Sequence, residues 1–155
     1  MPISPEFLAK RLRSEGEKMT AFFAGLNDDG WMTMIYTEGQ DWRIRDVLAH
    51  FVSAENSFLK LFVDIQQGGK GVSDDFSVDR FNNVQVAKMQ ETAPEELLKS
   101  FTEIRAKMAA WVEALNEEDL LKEGRHPFLE ETTLEEMIKL VYRHNQIHYR
   151  DMRKS

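Results

Sequence analysis

The chain has 155 residues, no cysteine, and 27 acidic against 20 basic side chains, a formal charge of −7. That length suits one domain, spanning residues 1–155, with enough buried surface to fold without staples. The missing thiols exclude disulfides, Cys-ligated zinc, iron–sulfur clusters and a cysteine nucleophile. The acidic balance argues against nucleic acid as a partner, because a phosphate backbone is met by a basic stripe. No apolar run nears the roughly 20 residues that span a bilayer, so no membrane partner is expected. The start, Met1-Pro2-Ile3-Ser4-Pro5-Glu6, lacks the basic and apolar segments of a secretory signal, and a cytoplasmic location is expected.

In chain order the pattern is helical almost throughout, with no alternating strand and no fixed repeat. Ser4-Pro5 reads as an N-cap followed by a first-turn proline. Phe7, Leu8, Leu12, Met19, Phe22, Phe23 and Leu26 then mark an apolar stripe, which Asn27-Asp28-Asp29-Gly30 stops. A connection of about a dozen residues with Trp31 and Gly39 follows, long for a bundle turn. The second helix starts between Asp41 and Asp46, acids suited to its N-terminal end, and carries Ile44, Val47, Leu48, Phe51, Phe58, Leu59, Phe62 and Ile65 inward. Gly68-Gly69-Lys70-Gly71 ends it. The third begins near Asp79 and is kinked or broken at Thr92-Ala93-Pro94, where Thr92 and Glu95 make a capping-box pattern. Leu97, Leu98, Phe101, Ile104, Met108, Trp111 and Leu115 continue its stripe. A second long stretch runs from about Asn116 to Thr132. Thr133 and Glu136 then cap a fourth helix along Leu134, Met137, Ile138, Val141, His144, His148 and Met152.

The expected fold is therefore all-α, a four-helix bundle. Long first and third connections suggest up-up-down-down topology with two crossovers, and the Gly-rich second connection would be a hairpin. Plain up-down-up-down stays open, because long loops do not force a crossover.

His144 and His148 are four apart on the inward stripe of the last helix, hence one turn apart on the same face. Two neutral imidazoles at this spacing can hold one divalent ion, although the pair alone is a weak signal. His50 lies on the inner side of the second helix, about 14 Å from its start. His144 and His148 lie about 14 and 8 Å from the end of the fourth at 1.5 Å per residue, so antiparallel helices bring all three to one level. Three histidines on zinc leave a fourth position open, the arrangement of catalytic sites. Zinc suits this set first, with nickel or iron as further choices. His126, before Pro127, reads as a loop residue.

Glu55 falls on the same inner stripe. It is the one candidate for a catalytic base or for a group orienting a ligand, against the plainer reading of a salt-bridge partner. Asp46 reads as a helix-start acid, and Asn82 and Asn83 as capping or pocket residues. Trp31, Trp42 and Trp111 read as core or pocket wall. Glu117-Glu118-Asp119 and the Glu130–Glu136 acids read as solvated charge, and Arg150, Arg153 and Lys154 as complements to the last helix's negative end.

Three segments in order resemble the DinB/YfiT-like superfamily, which includes mycothiol- and bacillithiol-dependent transferases. They are Trp42-Arg43-Ile44-Arg45-Asp46-Val47-Leu48-Ala49-His50, His126-Pro127-Phe128, and His144-Asn145-Gln146-Ile147-His148. The resemblance implies an up-up-down-down bundle, zinc or nickel on His50, His144 and His148, and a homodimer. Arg43 departs from it, standing where a Ser or Thr cap is usual. The activity implied is metal-dependent S-transfer or hydrolysis on a small electrophilic molecule as substrate. S-transfer would draw its thiol from a low-molecular-weight cofactor, since the chain has none. The alternative is a non-catalytic binding, sequestration or stress-response protein on the same bundle.

Overall fold

Ser4 Oγ accepts a hydrogen bond from Phe7 N at 3.1 Å, and Pro5 opens the first helix, so the cap and proline at the start do what their order predicts. The structure, a computed structural model, describes residues 3–38, 41–73 and 75–154. Gly39 of the first connection, and Met1 and Pro2 of the start, lie outside the described residues. The elements are α1 (Pro5–Ala24), a one-turn α2 (Asp28–Trp31), β1 (Met34–Tyr36), β2 (Trp42–Arg43), α3 (Ile44–Gln66), α4 (Val78–Lys88), α5 (Pro94–Glu113), a 3-10 turn (Glu117–Leu121), β3 (Glu123–His126), β4 (Glu130–Thr133) and α6 (Leu134–Arg153). The long helices α1, α3, α5 and α6 form the expected four-helix bundle.

Several local expectations shift. Asn27 does stop α1, but its side chain then caps α2 by accepting from Gly30 N at 2.8 Å. Two antiparallel ribbons, β1–β2 and β3–β4, occupy the long connections, where no strand was expected. The third predicted helix is fully broken. Ala93, not Thr92, is the N-cap of α5, and the Thr92 carbonyl instead accepts from Arg45 Nη2 at 2.9 Å. Asn82 and Asn83 lie inside α4, which Ser77 caps, so neither is a capping residue.

The order of directions is also corrected. Phe51 faces Phe101, Glu55 binds Arg105 and Phe62 faces Trp111, so α3 and α5 run parallel. Arg11 covers Tyr142 and Lys18 covers Tyr149, so α1 and α6 run parallel too. Arg13 pairs with Glu113 while Gly16 meets Arg105, which sets α1 against α5. The bundle is thus up-down-down-up in the order α1, α3, α5, α6, not up-up-down-down. The physical reason is α4. Its start lies by Leu61 and Phe58 of α3, and Gln90 just past its end donates to Asp46 at the start of α3. The Gly-rich segment and α4 therefore carry the chain back along α3, and the supposed hairpin is the crossover. The two long connections span the diagonal of the bundle at its ends, since α1 lies diagonal to α3 and α5 to α6.

Two buried clusters fill the bundle. One joins Leu8, Leu12, Phe58, Phe62, Ile65, Met108, Val112, Leu134 and Met137. The other joins Met19, Phe23, Trp31, Trp42, Val47, Leu48, Phe51, Leu97, Phe101 and Met152. Trp31 and Trp42 are core, as read from the sequence, and Trp111 packs half-buried against the first cluster. No helix among the described residues is long and apolar enough to cross a membrane.

Candidate metal centre

Asp46 Oδ2 accepts from Arg43 N at 2.9 Å and its Oδ1 from Gln90 Nε2 at 2.8 Å. A buried carboxylate thus closes the α3 start where the usual Ser or Thr cap is missing. His50 follows Ile44 by six residues, about 9 Å of helix, rather than the longer stretch expected. Because α3 and α6 remain antiparallel, the level still matches. His144 Nε2 stands 3.0 Å from His50 Nε2 and 3.0 Å from His148 Nε2, and one ring nitrogen of each of the three lies within 4.8 Å of the others. The structure therefore brings together the three histidines singled out in the sequence.

The rings are packed on their apolar faces. Trp42 lies 5.1 Å from the His50 ring, and Phe51 lies 5.7 and 5.6 Å from His144 and His148. Burial holds all three imidazoles neutral. It lowers His50 to about 3, helped by the His148 charge, and His148 to about 4 despite Asp151, while His144 falls well below the usual range.

Tyr36 fixes one tautomer. Its hydroxyl donates to Asp151 Oδ2 at 2.5 Å and stands 2.7 Å from His148 Nδ1. Burial and the bond to Asp151 push the phenol up, so it keeps its one proton. That proton goes to the carboxylate, so the hydroxyl accepts from His148 Nδ1–H, and Nε2 presents its lone pair to the centre. Tyr36 and Asp151 were not singled out in the sequence. Asp151, three residues after His148 on one helix, was findable by its spacing; Tyr36 was not. Tyr36→Phe is expected to weaken metal affinity by about 10–100-fold, the usual effect of losing a group that orients a ligand, with little change in Tm. Competition with a calibrated chelator measures it, and unchanged affinity removes Tyr36 from the centre.

Glu55 is buried, and both its oxygens are taken: Arg105 Nε donates to Oε1 at 2.8 Å and Nη2 to Oε2 at 2.6 Å. Arg105 also donates to Asn145 Oδ1 and to Leu12 O. The plainer salt-bridge reading describes this placement. His126 is not a loop residue but the last residue of β3, and it is buried. Its Nδ1 accepts from Phe128 N and Leu129 N at 3.0 and 3.2 Å, and its ring lies 5.3 Å from Phe58. It braces the β3–β4 turn and stands outside the triad.

The residues present fit a divalent ion. Tetrahedral bonds of about 2.0–2.1 Å put ligand nitrogens roughly 3.3 Å apart, so the two 3.0 Å pairs need open by only a few tenths of an ångström. Three neutral rings crowding nitrogens onto one point offer lone pairs to a cation. Without one, protonation is opposed in the fold but free in the unfolded chain, where histidine titrates near 6.5. The same holds for His126, which burial lowers to about 4. Between pH 6.5 and 4 the unfolded chain thus binds more protons, and stability falls as pH falls. The metal-free protein is expected to show a lower urea midpoint at pH 5 than at pH 7.5. Equal midpoints would mean that the rings are hydrated.

Beside the triad lies a cavity of about 90 Å³ between α3 and α4, with His50 in its wall and Phe128 at its edge. Three histidines converging from two helices of one bundle define the class: helical bundles with a candidate three-histidine metal centre. Residues 11–152 match the sequence profile of the DinB superfamily, and the chain belongs to it. No curated protein matches the chain.

Solved structures share the fold. The colibactin self-resistance protein ClbS, in complex with a dsDNA, is 15% identical with a TM-score of 0.75, over 100% of this chain and 98% of that one. The sibling lethal factor precursor DfsB is 15% identical with a TM-score of 0.76, over 97% and 94%. YfiT from Bacillus subtilis, described as a probable metal-dependent hydrolase with an unusual four-helix bundle topology, is 19% identical with a TM-score of 0.72, over 98% and 87%. The ClbS complex overturns the expectation of no nucleic acid. Net charge sums a whole surface, whereas a phosphate backbone meets only a patch.

Proposed function

We propose that this chain is a metal-dependent enzyme that holds one divalent ion, zinc first and nickel or iron next, on Nε2 of His50, His144 and His148, and acts on a small electrophilic molecule. The observation that carries the reading is the convergence of the three nitrogens at 3.0 Å spacing inside an apolar wall. A divalent ion there would supply Lewis acidity, polarising a carbonyl and making water or a thiol more acidic. The chain's own part is to orient: Tyr36 and Asp151 set the His148 tautomer, and Trp42 and Phe51 exclude water from the rings. Hydrolysis needs no cofactor, and YfiT of the same fold carries that description. S-transfer would require a low-molecular-weight thiol, because this chain has no cysteine. A cytoplasmic location, with the 155 residues acting as one domain, suits either chemistry.

One observation favours the second reading, sequestration without turnover. Both oxygens of Glu55, the candidate base, accept from Arg105 in a buried ion pair. Metal analysis of tag-free protein, followed by ester, amide and electrophile panels with and without small thiols, and with dsDNA as a ligand, tests both. One ion per chain with metal-dependent turnover supports the enzyme. Ligand binding with no turnover supports sequestration, and no ion ends the enzyme reading.

A further inference from the structure

The cavity beside His50 is chemically one-sided. Its walls include Ala54, Phe58, Leu61 and Phe81, with Ser57, Asn82 and the His50 ring as its polar side chains. Phe76 and Phe128, which also line it, are 40% and 49% exposed, so two large aromatic rings meet solvent at its rim. Aromatics left exposed beside a concave apolar space mark ligand sites more often than isolated surface residues do. His50 is only 3% exposed, and its Nδ1 has no hydrogen-bond partner. A buried ring nitrogen left without a partner is costly, whichever tautomer it belongs to.

The size is restrictive. A dry cavity of about 150 Å³ takes up benzene, whereas this one measures about 90 Å³. It is therefore too small for a bulky ring and suited to a short alkyl chain. A charged group is disfavoured there, because neither Ser57 nor Asn82 can neutralise it.

We propose that this chamber is the specificity pocket of the site, and that it takes a short aliphatic chain of the substrate, about four carbons, with its uncharged polar group at the end next to His50. This deepens the metal-enzyme reading by naming the substrate class, a short-chain aliphatic carbonyl compound, and rests on that reading for its role in turnover. Binding in the chamber does not need the ion.

The test is a series of linear 2-alkanones from acetone to 2-octanone, titrated into the protein with and without zinc and read by NMR shifts of phenylalanine and histidine ring protons. Affinity should rise about threefold to fourfold per added methylene until the chamber is full, and then level off. Ala54→Leu should flatten the rise at unchanged metal content, and Phe81→Ala should move the plateau to longer ketones. A flat series in the parent protein, or a plateau that stays put in both variants, overturns the proposal. A rising series in a protein that takes up no metal leaves the chamber and removes the enzyme reading. A flat series at one ion per chain does the reverse.

Discussion

His144→Ala is expected to abolish stoichiometric metal binding and with it any metal-dependent turnover. His144 is the middle ring: its Nε2 is 3.0 Å from the nitrogens of both His50 and His148, while no direct contact under that distance links the outer two. Removing it leaves two ligands from separate helices, each held by other contacts. The loss should exceed the roughly 10–100-fold typical of groups that only orient a ligand. The fold should survive, because an imidazole that stays neutral through burial contributes apolar contact and little else. Elemental analysis after dialysis at equal protein concentration measures the loss, and circular dichroism checks the helices. One ion per chain retained in His144→Ala would remove the triad as the metal centre. His50→Ala and His148→Ala should lose metal as well, and a variant at Tyr36 should lose less than any of the three.

The fold and the triad were legible in the sequence to different depths. Helical periodicity and the three ordered histidines gave the bundle and the metal candidates, because i, i+4 spacing and an inward stripe are local properties. The ribbons were invisible: β1 has three residues and β2 two, too few for alternation to show, and β3–β4 reads as a polar loop. The order of directions was lost at one place. Residues 89–93 separate α4 from α5, and only that break lets α4 return along α3. Tyr36 reaches His148 from 112 residues away, a contact made by tertiary packing of a short ribbon. The error in topology did not reach the triad, because both orders leave α3 and α6 antiparallel.

Glu55 supplies the second large effect, and it separates structure from chemistry. Arg105→Met is expected to destabilise the protein by about 3–5 kcal/mol, since it strands a buried carboxylate without its cation. For a chain of this size that is a fall of roughly 10–15 °C in Tm. The arginine is 3% exposed, binds both Glu55 oxygens, and ties α5 to the Leu12 carbonyl of α1 and to Asn145 of α6. Its loss therefore loosens three helices at once, one of them next to His144. Glu55→Gln should cost less than Arg105→Met, because the amide oxygen still accepts one bond. The double variant Glu55→Leu with Arg105→Met should recover much of the loss, as buried pairs replaced by apolar groups often do. Thermal melts of the metal-free proteins measure all three. If Glu55 were instead a base serving the ion, Glu55→Gln would stop turnover while leaving Tm where it was. The geometry argues for the opposite: a lower Tm with metal content intact, because both carboxylate oxygens accept from the Arg105 guanidinium, at 2.8 and 2.6 Å, and the pair is buried together.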